Sequence, residues 1–117
     1  MEQQNLILIA VAVFVVFFLA TRLLGTGSRK QLLAKLAAGA LVIDVRTPGE
    51  FSGGHYKGAR NIPLDSLNGQ LAKLGATDKP LIVYCASGAR SAQAAQLLRR
   101  AGFVDVTNAG GLGRMPG

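Results

Sequence analysis

Tryptophan is absent, cysteine and histidine occur once each, and aromatic residues make up 6% of the 117 residues. One cysteine excludes an intrachain disulfide, so the fold does not depend on an oxidising compartment. One cysteine and one histidine also argue against a zinc site, which uses three or four such ligands. Neither a metal nor a cofactor is expected. The few aromatics leave little for base stacking. The basic residues are scattered, and no nucleic-acid motif appears. A nucleic-acid partner is therefore not expected, despite a formal net charge of +7.

That charge is unevenly placed. Glu2 and Arg22 cancel, so all of it lies from Ser28 onward. A basic domain of this kind suits small anionic substrates or anionic lipid headgroups. The apolar residues are uneven too. Leu6 to Ala20 is wholly apolar, short of the roughly 20 residues of a membrane span. Leu23 and Leu24 extend it if Arg22 snorkels to the headgroups. A cleaved signal peptide would begin with a basic region and end in a small-residue cleavage site. Here Glu2 begins the segment and no clear A-x-A follows. A single membrane anchor fits best. Residues 1–27 then form an anchor and a short flexible linker, Gly25-Thr26-Gly27-Ser28, and residues 28–117 form one domain. Arg22, Arg29, Lys30 and Lys35 all follow the span, which places the domain on the cytoplasmic side of the cell membrane. Export to the periplasm is the alternative.

From Ser28 the chain alternates. A helix is expected over Ser28 to Ala38, with Leu32, Leu33 and Leu36 on one face and Ser28 as its cap. Leu41 to Val45 is a β-run interrupted by Asp44. Thr47-Pro48-Gly49-Glu50 reads as a capping box with proline at the first helical position. A brief strand, Ala59 to Ile62, precedes a helix capped by Asp65 or Ser66 and stopped by Gly75. Leu81 to Tyr84 is a second clear β-run, and Ser91 to Arg100 is helical. Phe103 to Val106 reads as a further strand, and Asn108 to Gly117 as a glycine-rich loop or turn. This alternation predicts an α/β domain around a mainly parallel sheet flanked by helices. Sites in such sheets lie beyond the C-terminal ends of the strands. Asp44, Arg46 and Cys85 all fall there.

Cys85 ends an apolar run and opens a loop of small residues, Ala86, Ser87, Gly88 and Ala89, closed by Arg90 and Ser91. A helix start offers free N–H groups and a partial positive charge, which lower a thiol's pKa and make it nucleophilic. The loop's N–H groups can converge on the sulfur. The competing reading is a buried structural cysteine.

At these residues the chain resembles the rhodanese-type single-domain sulfurtransferases. Asp44-Val45-Arg46, Glu50-Phe51, Gly54-His55, Gly58-Ala59 and Asn61-Ile62-Pro63-Leu64 are similar to the family's N-terminal signature. Cys85 to Ser91 is similar to its active-site loop, and Asn108-Ala109-Gly110-Gly111-Leu112 to its C-terminal turn. The ending Gly110-Gly111-Leu112 with Met115-Pro116 most resembles the small phage-shock-type members. The resemblance implies a rhodanese-like fold and transfer of a sulfane sulfur through a Cys85 persulfide. A small anionic donor such as thiosulfate would supply it, and cyanide, a thiol or a protein acceptor would take it. Ala86 stands where many members carry a thiosulfate-binding arginine, which leaves the donor open. Tyr56 and the missing tryptophan after the Gly-Gly turn are further departures. The related phosphatases use a loop one residue longer than Cys-x4-Arg, which favours sulfur over phosphate.

Ala86 to Ser91 are thus expected to bind substrate, with Arg90 facing the incoming anion or the loop carbonyls. Asp44, Arg46, Glu50 and His55 are expected to support the site: Arg46 paired with Glu50, Asp44 with backbone N–H groups, and His55 as a hydrogen-bonded structural histidine. Ser91 either bonds the persulfide or caps its helix. A non-catalytic adaptor or sulfur-relay module at the bilayer is the alternative function.

Overall fold

A computed structural model describes residues 2–117; the side chains of residues 20–24, Arg22 among them, lie outside that description. The expected snorkelling of Arg22 therefore falls outside the described residues.

The first helix, α1 (Glu2–Leu24), is one continuous apolar rod. At 1.5 Å per residue, 23 residues span roughly 35 Å, enough to cross a hydrocarbon core of about 30 Å. No part of its Glu2–Leu19 stretch is buried by the rest of the molecule. Length and composition thus suffice for a membrane span, and an N-terminal signal sequence passes the same test.

The remaining chain runs α2 (Arg29–Ala37), β1 (Leu41–Asp44), α3 (Pro48–Ser52), β2 (Arg60–Asn61), α4 (Leu64–Leu67), β3 (Leu81–Cys85), α5 (Ala89–Arg100) and β4 (Val106–Gly111). Every strand pairing is parallel, in the order β2-β1-β3-β4. Strand side chains alternate between the two faces. Ile43, Val45, Leu81, Val83 and Cys85 face one core, shared with Leu67 of α4 and Ala94, Ala95 and Leu98 of α5. Val42, Ile82 and Tyr84 face the other, closed by Leu32 of α2, Ala109 and Met115. A sheet covered on both faces explains why the β1 and β3 sequences are apolar runs rather than alternating patterns.

Several expectations hold in detail. Ser28 caps α2 and exchanges bonds with Gln31, a capping box. Thr47 and Glu50 form the second one, at α3. Others shift. Leu33 is 48% exposed, so only Leu32 and Leu36 of the predicted leucine face pack inward. Neither Asp65 nor Ser66 caps α4: Pro63 precedes it without a side-chain bond, Asp65 lies inside its first turn, and the segment continues as a 3-10 helix to Leu74. The last strand is Val106–Gly111, not Phe103 to Val106. Phe103 is buried in the turn after α5, while Asn108 to Gly111, expected as a loop, pairs with Val83 to Cys85. A bulge at Ala109 lets that glycine-rich segment stay in the sheet.

Candidate active site

From β1 the chain crosses to β2 on one side of the sheet, and later to β3 on the other. The crevice for a ligand in such a sheet opens at this reversal, past the strand ends. Asp44 and Cys85 sit on the two flanking strands.

Cys85 is the last residue of β3 and is 1% exposed. Ala86 and Ser87, which follow, are exposed. Gly88 then turns the chain at φ +112°, a region that L side chains avoid. This sharp turn lets α5 begin at Ala89, two residues earlier than expected, with Gly88 as its N-cap. Ser91 is therefore inside the first turn and is not the cap. Its hydroxyl lies 3.1 Å from the Gly88 carbonyl and 3.4 Å from the Gly110 carbonyl, acceptors for its proton.

The sulfur accepts the Gly88 N–H at 2.9 Å, and the thiol donates to the Ser91 hydroxyl at 3.4 Å. Burial pushes the thiol pKa up. The Ser91 hydroxyl and the N–H groups of Ser91, Gly88 and Ser87 outweigh it and hold Cys85 below the ordinary thiol value. The same donors would hold any anion on that sulfur. Behind the loop lies β4. Gly111 pairs with Cys85, and a Cβ at Gly111 would stand 2.6 Å from the Ala86 carbonyl oxygen, so only glycine fits this wall.

The ion pairs differ from the expected ones. Arg46 pairs with Asp44, not Glu50. Its Nε donates to both carboxylate oxygens at 3.0 Å, its Nη2 to Oδ2 at 2.7 Å, and its backbone N–H to Oδ1 at 2.9 Å. Arg46 stands at a bend just past the end of β1, where the chain turns its N–H and side chain back onto the Asp44 carboxylate. Burial pushes Asp44 up, but the Arg46 guanidinium and N–H prevail and its carboxyl sits below the usual range. Arg46 also donates to the Gly54 carbonyl at 2.7 Å and lies over the Tyr84 ring. Asn61 Nδ2 donates to the carbonyls of Asp44 and Arg46, both at 3.0 Å.

Glu50 instead meets Arg90. The guanidinium grips its carboxylate with two bonds of 2.7 and 3.0 Å. Arg90, followed by the Thr47 cap, holds Glu50 down to about 2. Arg90 thus pairs with Glu50 rather than with a loop carbonyl, with about a third of its side chain exposed. It braces the cysteine loop against α3, across the crevice. A cavity of about 360 Å³ opens beside it, lined by Val45, Thr47, Pro63, Leu64 and Asp65. A larger groove, of about 720 Å³, lies between α5 and the α4 segment, lined by Leu64, Asn68, Leu71, Gln93 and Arg100 and not by Cys85.

His55 is exposed. Its Nδ1 donates to the Phe51 carbonyl at 2.9 Å, and its ring stacks on Phe51 at 3.6 Å. It is hydrogen-bonded as expected, and its contacts stay with α3 rather than the cysteine loop. The Gly110 carbonyl and Asn61 carry no charge and sit in segments read as loop or brief strand. Both fall in the motifs that carry the family resemblance, but sequence reasoning assigned neither a part at the site.

Residues 28–112 match the rhodanese-like domain family. The chain is 39% identical over 108 residues to the Bacillus subtilis protein YqhL, covering 88% of this chain and 84% of that protein. That stretch is longer than residues 28–117, so it takes in part of α1. It is also 39% identical over 71 residues to the Escherichia coli thiosulfate sulfurtransferase PspE, covering 60% of this chain and 68% of that protein. Among solved structures, the human single-domain sulfurtransferase TSTD1 superposes with a TM-score of 0.67 at 32% identity, covering 74% of this chain and 88% of that one. A cysteine held in a backbone cradle at a strand end is therefore set in the fold of a known group, and this chain belongs to the rhodanese-like family of sulfurtransferases.

Proposed function

We propose that the protein is a membrane-tethered sulfurtransferase in which residues 1–27 anchor and link, and residues 28–117 carry out the transfer through Cys85. The observation that supports this most is the cradle on the sulfur: the Gly88 N–H at 2.9 Å, Ser91 beside it, and a thiol pKa below the ordinary value. The Cys85 thiolate attacks the outer sulfur of a donor such as thiosulfate. Its S–S bond breaks, sulfite leaves with the electron pair, and Cys85 becomes a persulfide anion. A thiol or cyanide then attacks the outer sulfur, and the thiolate returns as the leaving group. Ala86 to Ser91 line the persulfide. Arg90, braced by Glu50, keeps a positive charge beside it. Asp44, Arg46 and His55 act through the scaffold.

Incubating the full chain with thiosulfate or another sulfane donor should add the mass of one sulfur to Cys85. Cys85→Ser should abolish that gain and any conversion of cyanide to thiocyanate. No mass gain with any donor would sink the reading. A non-catalytic adaptor is the second reading, favoured by the near-complete burial of Cys85; it predicts that Cys85→Ser keeps cellular function, whereas a sulfur relay would lose it with the one cysteine.

The exposed apolar surface of α1 and the Lys and Arg residues that follow it support an anchor with the domain on the cytoplasmic side. Cys85, 1% exposed, admits a small alkylating agent more readily than a bulky impermeant maleimide, so it is a poor reporter of sidedness. A Val104→Cys substitution in the Cys85→Ser background places a thiol where the native side chain is 79% exposed. It should react with a membrane-impermeant maleimide only after cells are permeabilised. Labelling of intact cells would place the domain outside.

A further inference from the structure

The linker read from sequence as a flexible tether is docked on the domain. The Gly27 N–H donates to the Asn108 carbonyl at 2.8 Å, along the outer edge of β4. Arg114, beyond the end of that strand, reaches back. Its Nη1 donates to the Thr26 hydroxyl, and its Nη2 to the Gly27 carbonyl at 3.2 Å. A Cβ at Gly27 would stand 2.6 Å from the Thr107 methyl, so glycine is what admits the segment this close.

Beneath this clasp lies Gly110. A Cβ on it would stand 3.1 Å from the Thr26 methyl and 3.4 Å from Arg114 Cδ. Its backbone is at φ +88°, next to the β4 bulge, where a glycine has wide freedom unless its surroundings confine it. On its other side, the Gly110 carbonyl lies 3.4 Å from the Ser91 hydroxyl, which lies 3.4 Å from the Cys85 sulfur. A single peptide therefore separates the clasp from the serine that touches the thiol.

We propose that Arg114 is a positioning residue for the Cys85 loop, acting through Thr26 and Gly27: the segment leaving α1 forms the outer wall of the sulfur site. Confining Gly110 fixes where its carbonyl stands, and so how far the Ser91 hydroxyl turns toward the sulfur. The consequence for sulfur transfer rests on the reading above, but the coupling itself is a property of the thiol. It also means that the transmembrane candidate and the reacting sulfur are joined by a packed path, not by a loose chain.

The test uses the full chain in detergent micelles. The rate of Cys85 alkylation by iodoacetamide is followed against pH, which gives the midpoint of thiolate formation without any sulfur donor. Arg114→Ala and Thr26→Val should each shift that midpoint by about half a unit to one unit, changing the alkylation rate below it about three- to tenfold. Arg114→Lys, which keeps one donor, should lie between Arg114→Ala and the native chain. Arg99→Ala is the control. Arg99 donates to the Val106 carbonyl at the far end of β4, and its loss should leave the midpoint in place. The charged groups nearest the sulfur, Arg90 and its partner Glu50, are unchanged in all these variants. If Arg114→Ala fails to fold, Thr26→Val, a same-sized exchange at an exposed position, carries the test. A native midpoint in every folded variant of the Arg114 and Thr26 pair would overturn the proposal. Failure of the sulfurtransferase reading would look different: no sulfur mass gain in the native chain, with the midpoint shifts still measurable.

Discussion

The C-terminal ends of β1 and β3 lie side by side and use similar parts. Each presents a buried group able to carry negative charge, Asp44 or Cys85, an arginine a few residues on, and a backbone N–H aimed back at that group. At β1 the arginine turns inward, and four donor contacts from Arg46 fill the carboxylate. At β3 the arginine turns away to Glu50, and the sulfur is met by the Ser91 hydroxyl and the N–H groups of Ser87, Gly88 and Ser91, in a loop whose first two residues are exposed. The same address in the fold thus yields a carboxylate closed by its own arginine on one strand and a sulfur held by backbone donors beside an exposed loop on the other. What holds the anion, a buried guanidinium or backbone donors at an exposed loop, separates a structural end from a reactive one.

The sharpest way to break this comparison is to empty each end in turn and measure unfolding by denaturant. Asp44→Ala leaves the Arg46 guanidinium buried with no carboxylate, and with the Gly54 carbonyl and Tyr84 to meet it. Breaking a buried pair from one side typically costs about 3–5 kcal/mol. Cys85→Ser swaps one small hydrogen-bonding group for another and should cost no more than about 1.5 kcal/mol. Equal losses at the two sites would mean that Cys85 is as structural as Asp44, and the division between brace and reactive group would fall.

Much of this contrast was legible in the sequence, for identifiable reasons. Strands covered on both faces must be apolar throughout, so Leu41 to Asp44 and Leu81 to Cys85 stood out, and with them the addresses of Asp44 and Cys85. Helix caps are local, so Ser28 and Thr47 were readable from a few residues each. Partner choice was not. Asp44, Arg46 and Glu50 lie within seven positions, and two ways of pairing them look equally good on paper. The bend after β1 settles it by turning Arg46 back onto the Asp44 carboxylate, while α3 swings Glu50 toward a helix 40 residues away in sequence. β4 was illegible for the opposite reason. Its Asn108-Ala109-Gly110-Gly111 segment lacks the branched and aromatic residues that mark strands. Its glycines answer instead to close approach, by the Ala86 carbonyl on one side and the Thr26 methyl on the other.

A smaller effect sharpens the comparison through pH. The Arg90–Glu50 bridge is about one-third exposed on both sides, so solvent screening keeps its contribution well below that of the buried pair. It still leaves a mark. Held down to about 2 by Arg90 and Thr47, Glu50 stabilises the folded state in full above its ordinary value of 4.5. That contribution is lost as the pH falls from there through about 2, because the unfolded chain takes up the proton first. Asp44 is also depressed, so its contribution fades below its ordinary value of 3.8. Glu50→Gln removes the first of these and leaves the second. Denaturation midpoints followed from pH 7 to pH 2 should therefore fall less steeply in Glu50→Gln than in the native chain, with the difference confined to the acid side of about 4.5. The two curves should differ by a small constant amount at neutral pH, where Glu50 is charged. Parallel curves all the way to pH 2 would show that Arg90 does not hold Glu50 in solution, and the cysteine loop would then lack its brace across the crevice.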